Sequence, residues 1–249
     1  MRDLLEKERS DRLSKYAHDM TPKEEYQQNG FLIVRNLLTP EECTEMKREI
    51  QRILQEKKDY GGVLVGLAAT SAVFQAAAHH PKLLDAIESV IGSDILFLSD
   101  KVVFKSSDVR FASPWHQDWH YWKGAHKLSV WIALDPTSTE NGCLKLLPGS
   151  HKSIAVHDGS APEGEGFGHR LNPDAVDENE AFIAECNVGD AVLFHDLTLH
   201  ASFPNISGED RIALISTYSN AAEPDFAYDW AVAAMLVRGK ATDGVLTAS

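Results

Sequence analysis

No apolar run in this 249-residue chain is long enough to cross a bilayer as a helix, which takes about 20 such residues. Residues 1–9 are charged and polar and lack the apolar core of a signal peptide. The final residues match no lipidation or peroxisomal address. The expectation is a cytoplasmic protein with no membrane partner. Cysteine is scarce: Cys43, Cys143 and Cys186 are odd in number and far apart. They fit buried small hydrophobes in a reducing compartment, not a disulfide frame. Positive charge is also in deficit, with 24 Lys and Arg against 37 Asp and Glu and a net charge of −13. That argues against a nucleic-acid backbone as partner, because phosphate binding wants a basic surface, and it gives no sign of a polybasic membrane patch. It does not constrain the inside of a pocket, which can be locally basic. No internal repeat is visible, and the oligomeric state cannot be read from the chain.

What is present is patterned. Thr21-Pro22-Lys23-Glu24 and Thr39-Pro40-Glu41-Glu42 each offer a capping hydroxyl, a proline at the first helical position and a glutamate three residues after the cap. Asn29-Gly30 ends the first helix, and residues 31–34 form a short buried strand. Residues 43–55 have helical spacing, with Met46, Ile50, Ile53 and Leu54 on one side. Residues 69–78 and 82–91 predict two more helices, broken at Pro81 and stopped by Gly92. The first ninety residues are thus mostly helical with one strand.

From Ile95 the period changes. Residues 95–99, 102–104, 128–134, 143–147, 191–194 and 212–218 predict strands, separated by turn signals such as Asn141-Gly142 and Pro148-Gly149. Many short strands suggest a sandwich or barrel, and helices followed by strands argue for α+β. A chain of this length is compatible with one domain over 1–249, helical to about 92, a barrel over about 93–220 and a C-terminal extension. Residues 153–180 are rich in Gly, Pro and Glu around 160–168. They read either as a flap near the pocket or as a solvated excursion.

The chemistry is concentrated in Trp115-His116-Gln117-Asp118-Trp119-His120-Tyr121-Trp122. On a strand, residues two apart point to one face, so the His116 imidazole and Asp118 carboxylate would converge. His200 can supply a third ligand, with His195 as competitor five residues earlier. Two histidines and one carboxylate form the facial set of non-haem Fe(II) oxygenases. In a chain with eleven histidines one His-x-Asp arises easily by accident, so the pair alone is weak.

Its company is more specific. Residues 128–135, Glu140-Asn141-Gly142-Cys143-Leu144, Leu147-Pro148-Gly149-Ser150-His151-Lys152, residues 188–195, His200 and Arg211 follow in order. This set, over roughly residues 20–220, resembles the phytanoyl-CoA dioxygenase family of Fe(II)/2-oxoglutarate oxygenases. The resemblance implies a double-stranded β-helix, a cupin-like jelly roll flanked by N-terminal helices. It implies Fe(II) held by His116, Asp118 and His200, with 2-oxoglutarate and O2 as cosubstrates. It places His200, followed by Ala201-Ser202 and later Arg211, ahead of His195. Arg211 would grip the distal carboxylate of 2-oxoglutarate with its planar fork, and Ser202 and Trp131 would line the same pocket. A hairpin through Pro204–Gly208 would return Arg211 beside Ser202. The implied reaction oxidises an unactivated C–H bond of a small molecule, by default hydroxylation, and releases succinate and CO2. Desaturation, cyclisation and epoxidation use the same site, and a non-catalytic binder on the same barrel is the alternative from another class. His120, Tyr121 and Trp122 are expected either as a substrate wall or as packing under the barrel mouth.

Overall fold

In the computed structural model, which describes residues 20–56, 62–158, 168–223 and 233–240, the first helix starts where the cap predicts. Helix α1 (Pro22–Asn29) has a complete capping box and ends on Gly30 at φ 82°, a left-handed conformation that favours glycine. Strand β1 (Phe31–Val34) follows. Helix α2 (Pro40–Glu56) opens with the second box, in which Thr39 N–H donates to Glu42 Oε2 (2.7 Å) and Glu42 N–H to Thr39 Oγ1 (3.2 Å). Its Met46, Ile50 and Ile53 are buried. Helices α3 (Ala72–Ala78) and α4 (Pro81–Ile91) complete this part, with Pro81 opening α4. Strand β2 (Val63–Val65) was not foreseen. Three residues are too few to carry a periodicity, so the segment holds two strands, not one.

The rest is two antiparallel sheets. Strands β3 (Ile95–Lys105), β5 (Lys127–Ala133), β8 (Ala191–His195), β10 (Arg211–Asn220) and β11 (Met235–Arg238) join β1 and β2 in a seven-stranded sheet. Its order is β1-β8-β5-β10-β3-β11, with β2 also on β3. Strands β4 (Ser113–His116), β6 (Leu144–Leu146), β7 (Phe182–Ala184) and β9 (His200–Ser202) form the second, ordered β4-β9-β6-β7. This is the expected jelly roll. Among the described residues no helix is long and apolar enough to cross a membrane.

Alternation along the large sheet assigns its two faces. Leu128, Val130, Ile132 and Leu214 share one core with Met46, Ile50, Leu83 and Ile87 of the helices. Trp131, Ala133, Val192, Phe194 and Ala213 share another with Leu144 and Leu146 of the second sheet. Residues of period two thus separate a helix-facing layer from a layer between the sheets. Strand β5 is buried along its whole length, the pattern of a strand covered on both faces.

Strand β3 is continuous across Asp100-Lys101, where the sequence predicts two strands, 95–99 and 102–104. Asp100 is buried and its carboxylate accepts the Ala68 N–H (3.0 Å), so the charge is satisfied without interrupting the ladder. Burial raises its carboxyl to about 6 despite that bond. One irregularity matters more. Thr217 faces Ser99 but Tyr218 faces Phe97, leaving Leu98 as an extra residue. Such a bulge exchanges the faces of everything beyond it. Phe97 lies with the helices, whereas Lys101, Val103 and Lys105 line the space between the sheets.

Candidate active site

A cavity of about 720 Å³ opens between the sheets, lined by His116, Asp118, Trp131, His200, Ser202 and Arg211 among others. All six proposed site residues therefore meet in one place. The route differs from the expected one. Strand β4 ends at His116, and Asp118 is helical (φ −62°, ψ −31°) at the start of the short helix α5 (Trp119–Trp122). The two do not share a strand face, and the chain turn between them aims both inward.

His116 Nε2 and His200 Nε2 lie 3.6 and 3.7 Å from Asp118 Oδ1. These separations are too long for hydrogen bonds. Donors each about 2.1 Å from one first-row cation stand roughly 3–3.5 Å apart, so a metal needs only a small closure. The tautomers suit it. His116 Nδ1 donates to Pro114 O (2.8 Å) and His200 Nδ1 to Thr198 O (2.9 Å), which directs each Nε2 lone pair at the common point. Burial lowers His200 to about 3 and keeps it neutral. Burial alone would raise the Asp118 carboxyl, but His200, His116 and Lys101 outweigh it and hold it below the usual carboxylate range. Ser129 Oγ donates to Asp118 Oδ2 (2.9 Å), leaving Oδ1 for the metal.

His195 lies elsewhere. Its Nδ1 and that of His126 are each 3.0 Å from Asp196 Oδ1. Asp196 Oδ2 accepts Trp122 Nε1–H (3.0 Å) and Lys127 N–H (2.9 Å). This second His-His-Asp group is closed at hydrogen-bond distance and ties α5 to β5 and β8.

Arg211 is fully buried. Its Nε donates to Asn141 O (3.3 Å) and its Nη2 to Gly142 O (3.1 Å), and it stands by the Trp131 ring, 5.8 Å from its centroid. Its Nη1 has no hydrogen-bond partner among the described residues. A buried unpaired donor costs about 1–3 kcal/mol, more when charged. Burial lowers Arg211 only to about 10, so it stays cationic. Arg211 and Ser202 are not joined by a hairpin, because β9 and β10 belong to different sheets. Lys105 connects them: it sits opposite Arg211 in the ladder, and its Nζ donates to Ser202 Oγ (2.8 Å) and Phe203 O (2.6 Å). Ser202 Oγ also accepts Ser113 N–H (3.1 Å), which leaves its own proton to donate. Gly142 does more than turn the chain. At φ 96°, a Cβ there would fall 2.8 Å from Lys105 Cδ and 2.9 Å from Phe203 O.

Lys105, Ser129 and Gln117 were not foreseen as site residues. A lysine closing an apolar strand was the only signal for Lys105. Gln117 is wholly buried, donating to Ser153 O and Leu197 O and accepting Ala155 N–H. It anchors the start of the 153–180 segment to the metal motif, while the centre of the suggested flap, residues 159–167, lies outside the described residues. His120, Tyr121 and Trp122 do not line the cavity. They latch α5 to Ala155 O, His169 O and Asp196.

A jelly roll closing on two imidazoles and one carboxylate, with a buried guanidinium beside them, defines the non-haem iron oxygenase class. The chain belongs to the phytanoyl-CoA dioxygenase family, whose model matches residues 26–213, and is an Fe(II)- and 2-oxoglutarate-dependent dioxygenase. It is 29% identical over 228 residues to a probable alpha-ketoglutarate-dependent hypophosphite dioxygenase of Stutzerimonas stutzeri, covering 79% of this chain and 77% of that one. It is 26% identical to the peroxisomal phytanoyl-CoA dioxygenase of Homo sapiens over 79% of this chain and 67% of the relative. Among solved structures, the non-haem monooxygenase ThoJ, in its apo form, superposes with a TM-score of 0.75 at 26% identity, covering 91% and 86% of the two chains.

Proposed function

We propose that His116, Asp118 and His200 hold Fe(II), and that Arg211, Ser202, Lys105 and Trp131 hold 2-oxoglutarate for the hydroxylation of a small metabolite. The observation that carries this reading is the unpaired Arg211 Nη1 inside the cavity that holds the three-donor set. A carboxylate satisfies that donor, and Ser202 and Lys105 offer it further protons. Bound iron supplies the O2 activation that couples loss of CO2 from 2-oxoglutarate to oxidation of the substrate. The chain's own work is to orient and exclude. The backbone carbonyls of Pro114 and Thr198 fix the two imidazoles, Ser129 fixes the carboxylate, and the apolar walls keep water from the reacting carbon.

The test is succinate release from 2-oxoglutarate under O2 with added Fe(II), screened over small metabolites for stimulation. A stimulating compound is expected to yield a product carrying one labelled oxygen from isotopic O2. Absence of succinate from iron-loaded protein with every compound sinks the reading, and a product that loses two hydrogens without gaining oxygen replaces hydroxylation with desaturation.

A proton accompanies the cosubstrate. Burial, then the neighbouring Arg211 charge, lowers Lys105 from the ordinary 10.5 to about 7. Above pH 7 the free protein therefore lacks the proton that a carboxylate neighbour restores. Binding of 2-oxoglutarate at pH 8 is expected to take up a proton, and affinity to fall as pH rises. Calorimetry of the Zn(II)-loaded protein in buffers of different ionisation enthalpy measures this, with Lys105→Met as control. Equal heats in all buffers contradict it.

A further inference from the structure

The cavity is cationic in an acidic protein. Its charged lining is Lys101, Lys105 and Arg211 against the single carboxylate of Asp118, although the whole chain carries −13. Two of these cations are engaged at the cosubstrate end. Arg211 is held by Asn141 O and Gly142 O, and Lys105 by Ser202 and Phe203. Lys101 is different. It lines the cavity yet is exposed, and it has no side-chain hydrogen bond or ion pair among the described residues.

Its place on β3 separates it from the cosubstrate clamp. Lys101 and Lys105 lie on one face four residues apart, about 13 Å along a strand. Lys105 stands opposite Arg211, whereas Lys101 stands opposite Ile215, which faces Trp131 on the next strand. One step further, Ser99 faces Thr217 and Thr217 faces Ser129, the residue bonded to Asp118. Lys101 is thus next to the metal end, and its charge reaches both Asp118 and His200. Iron, Asp118, 2-oxoglutarate, Arg211 and a protonated Lys105 together already carry net positive charge. The cosubstrate therefore leaves the Lys101 ammonium unbalanced. Val63 and Val103, paired with each other one step along from Lys101, make this part of the cavity lining apolar.

We infer that Lys101 anchors an anionic group, a carboxylate or a phosphonate or phosphate, carried on the apolar skeleton of the primary substrate. This inference rests on the proposed iron and 2-oxoglutarate site. An ammonium is a point charge without a fork, so it selects the charge and not the shape of the acid.

The experiment uses protein loaded with Zn(II) and 2-oxoglutarate, which binds without turning over. Hexanoate and hexylphosphonate are titrated by calorimetry beside their neutral counterparts, hexanamide and hexanol. The anions are expected to bind up to about fivefold more tightly, the upper end of what an ion pair open to solvent contributes. Lys101→Met is expected to erase that preference and Lys101→Arg to keep it, with 2-oxoglutarate affinity unchanged in both. No preference for anions in the unaltered protein, or a preference that survives Lys101→Met, overturns the inference. If Lys101→Met weakens 2-oxoglutarate as much as the test anions, Lys101 serves the cosubstrate, and the inference fails while the oxygenase site stands. If the unaltered protein binds neither Zn(II) nor 2-oxoglutarate, the site itself is wrong and the inference falls with it.

Discussion

Alanine at His116, Asp118 or His200 is expected to abolish turnover and lose bound iron, while His195→Ala retains the metal. Each of the first three removes one of three converging donors, the Nε2 atoms of His116 and His200 lying 3.6 and 3.7 Å from Asp118 Oδ1. Changes to outer partners of metal ligands already cost roughly 10–100-fold in affinity, so loss of a ligand itself costs more. His195 instead faces Asp196 at 3.0 Å in a group closed by Trp122 and Lys127. Its removal loosens α5 but leaves the donor set intact. Metal analysis of the four purified variants after anaerobic loading with Fe(II) decides the matter. Iron lost from the His195 variant and kept by the His200 variant reverses the assignment.

Arg211→Ala is expected to nearly eliminate use of 2-oxoglutarate, and Arg211→Lys to raise its apparent KM. Removing one partner of a desolvated charge pair costs roughly 2–5 kcal/mol, a loss of tens- to thousands-fold. Lysine restores the charge but cannot both hold the carbonyls of Asn141 and Gly142 and present a second N–H as Nη1 does. Anaerobic titration of 2-oxoglutarate against the Fe(II) protein, followed by the visible charge-transfer band, gives the affinities. An unchanged affinity in Arg211→Ala removes the guanidinium from the cosubstrate site.

The sequence carried the site residues further than it carried their geometry. His116 and Asp118 were picked out by a two-residue spacing that suits a strand, yet the strand stops at His116 and Asp118 begins a helix. Convergence comes from the turn and from Ser129, which no local pattern announces. Ser202 and Arg211 were paired through an imagined hairpin, but they meet across two sheets by way of Lys105. Long buried strands such as β5 and β10 were legible because alternation and apolar runs persist over them. Strands β2, β7 and β9, three residues each, show no period, and the equally short β6 was legible only through the apolar residues of 143–147. Their positions are set by pairing with distant partners. Lys105 and Lys101 were missed for a related reason. Which face of β3 they occupy depends on one unpaired residue in a register that exists only after folding.

That residue, Leu98, makes the cavity sensitive to counting as well as to chemistry. Deleting it would act on β3 as a frameshift acts on a message: each later residue keeps its identity and changes its meaning. Lys101, Val103 and Lys105 would turn into the greasy layer under the helices, and Asp100, Val102 and Phe104 would enter the cavity. Two ammonium groups would be stranded in oil and a second carboxylate would stand near the metal ligands, with no side chain chemically altered. Natural length variation should therefore spare β3 and gather in the loop between Lys105 and Ser113, where an added residue leaves the frame of this strand unread.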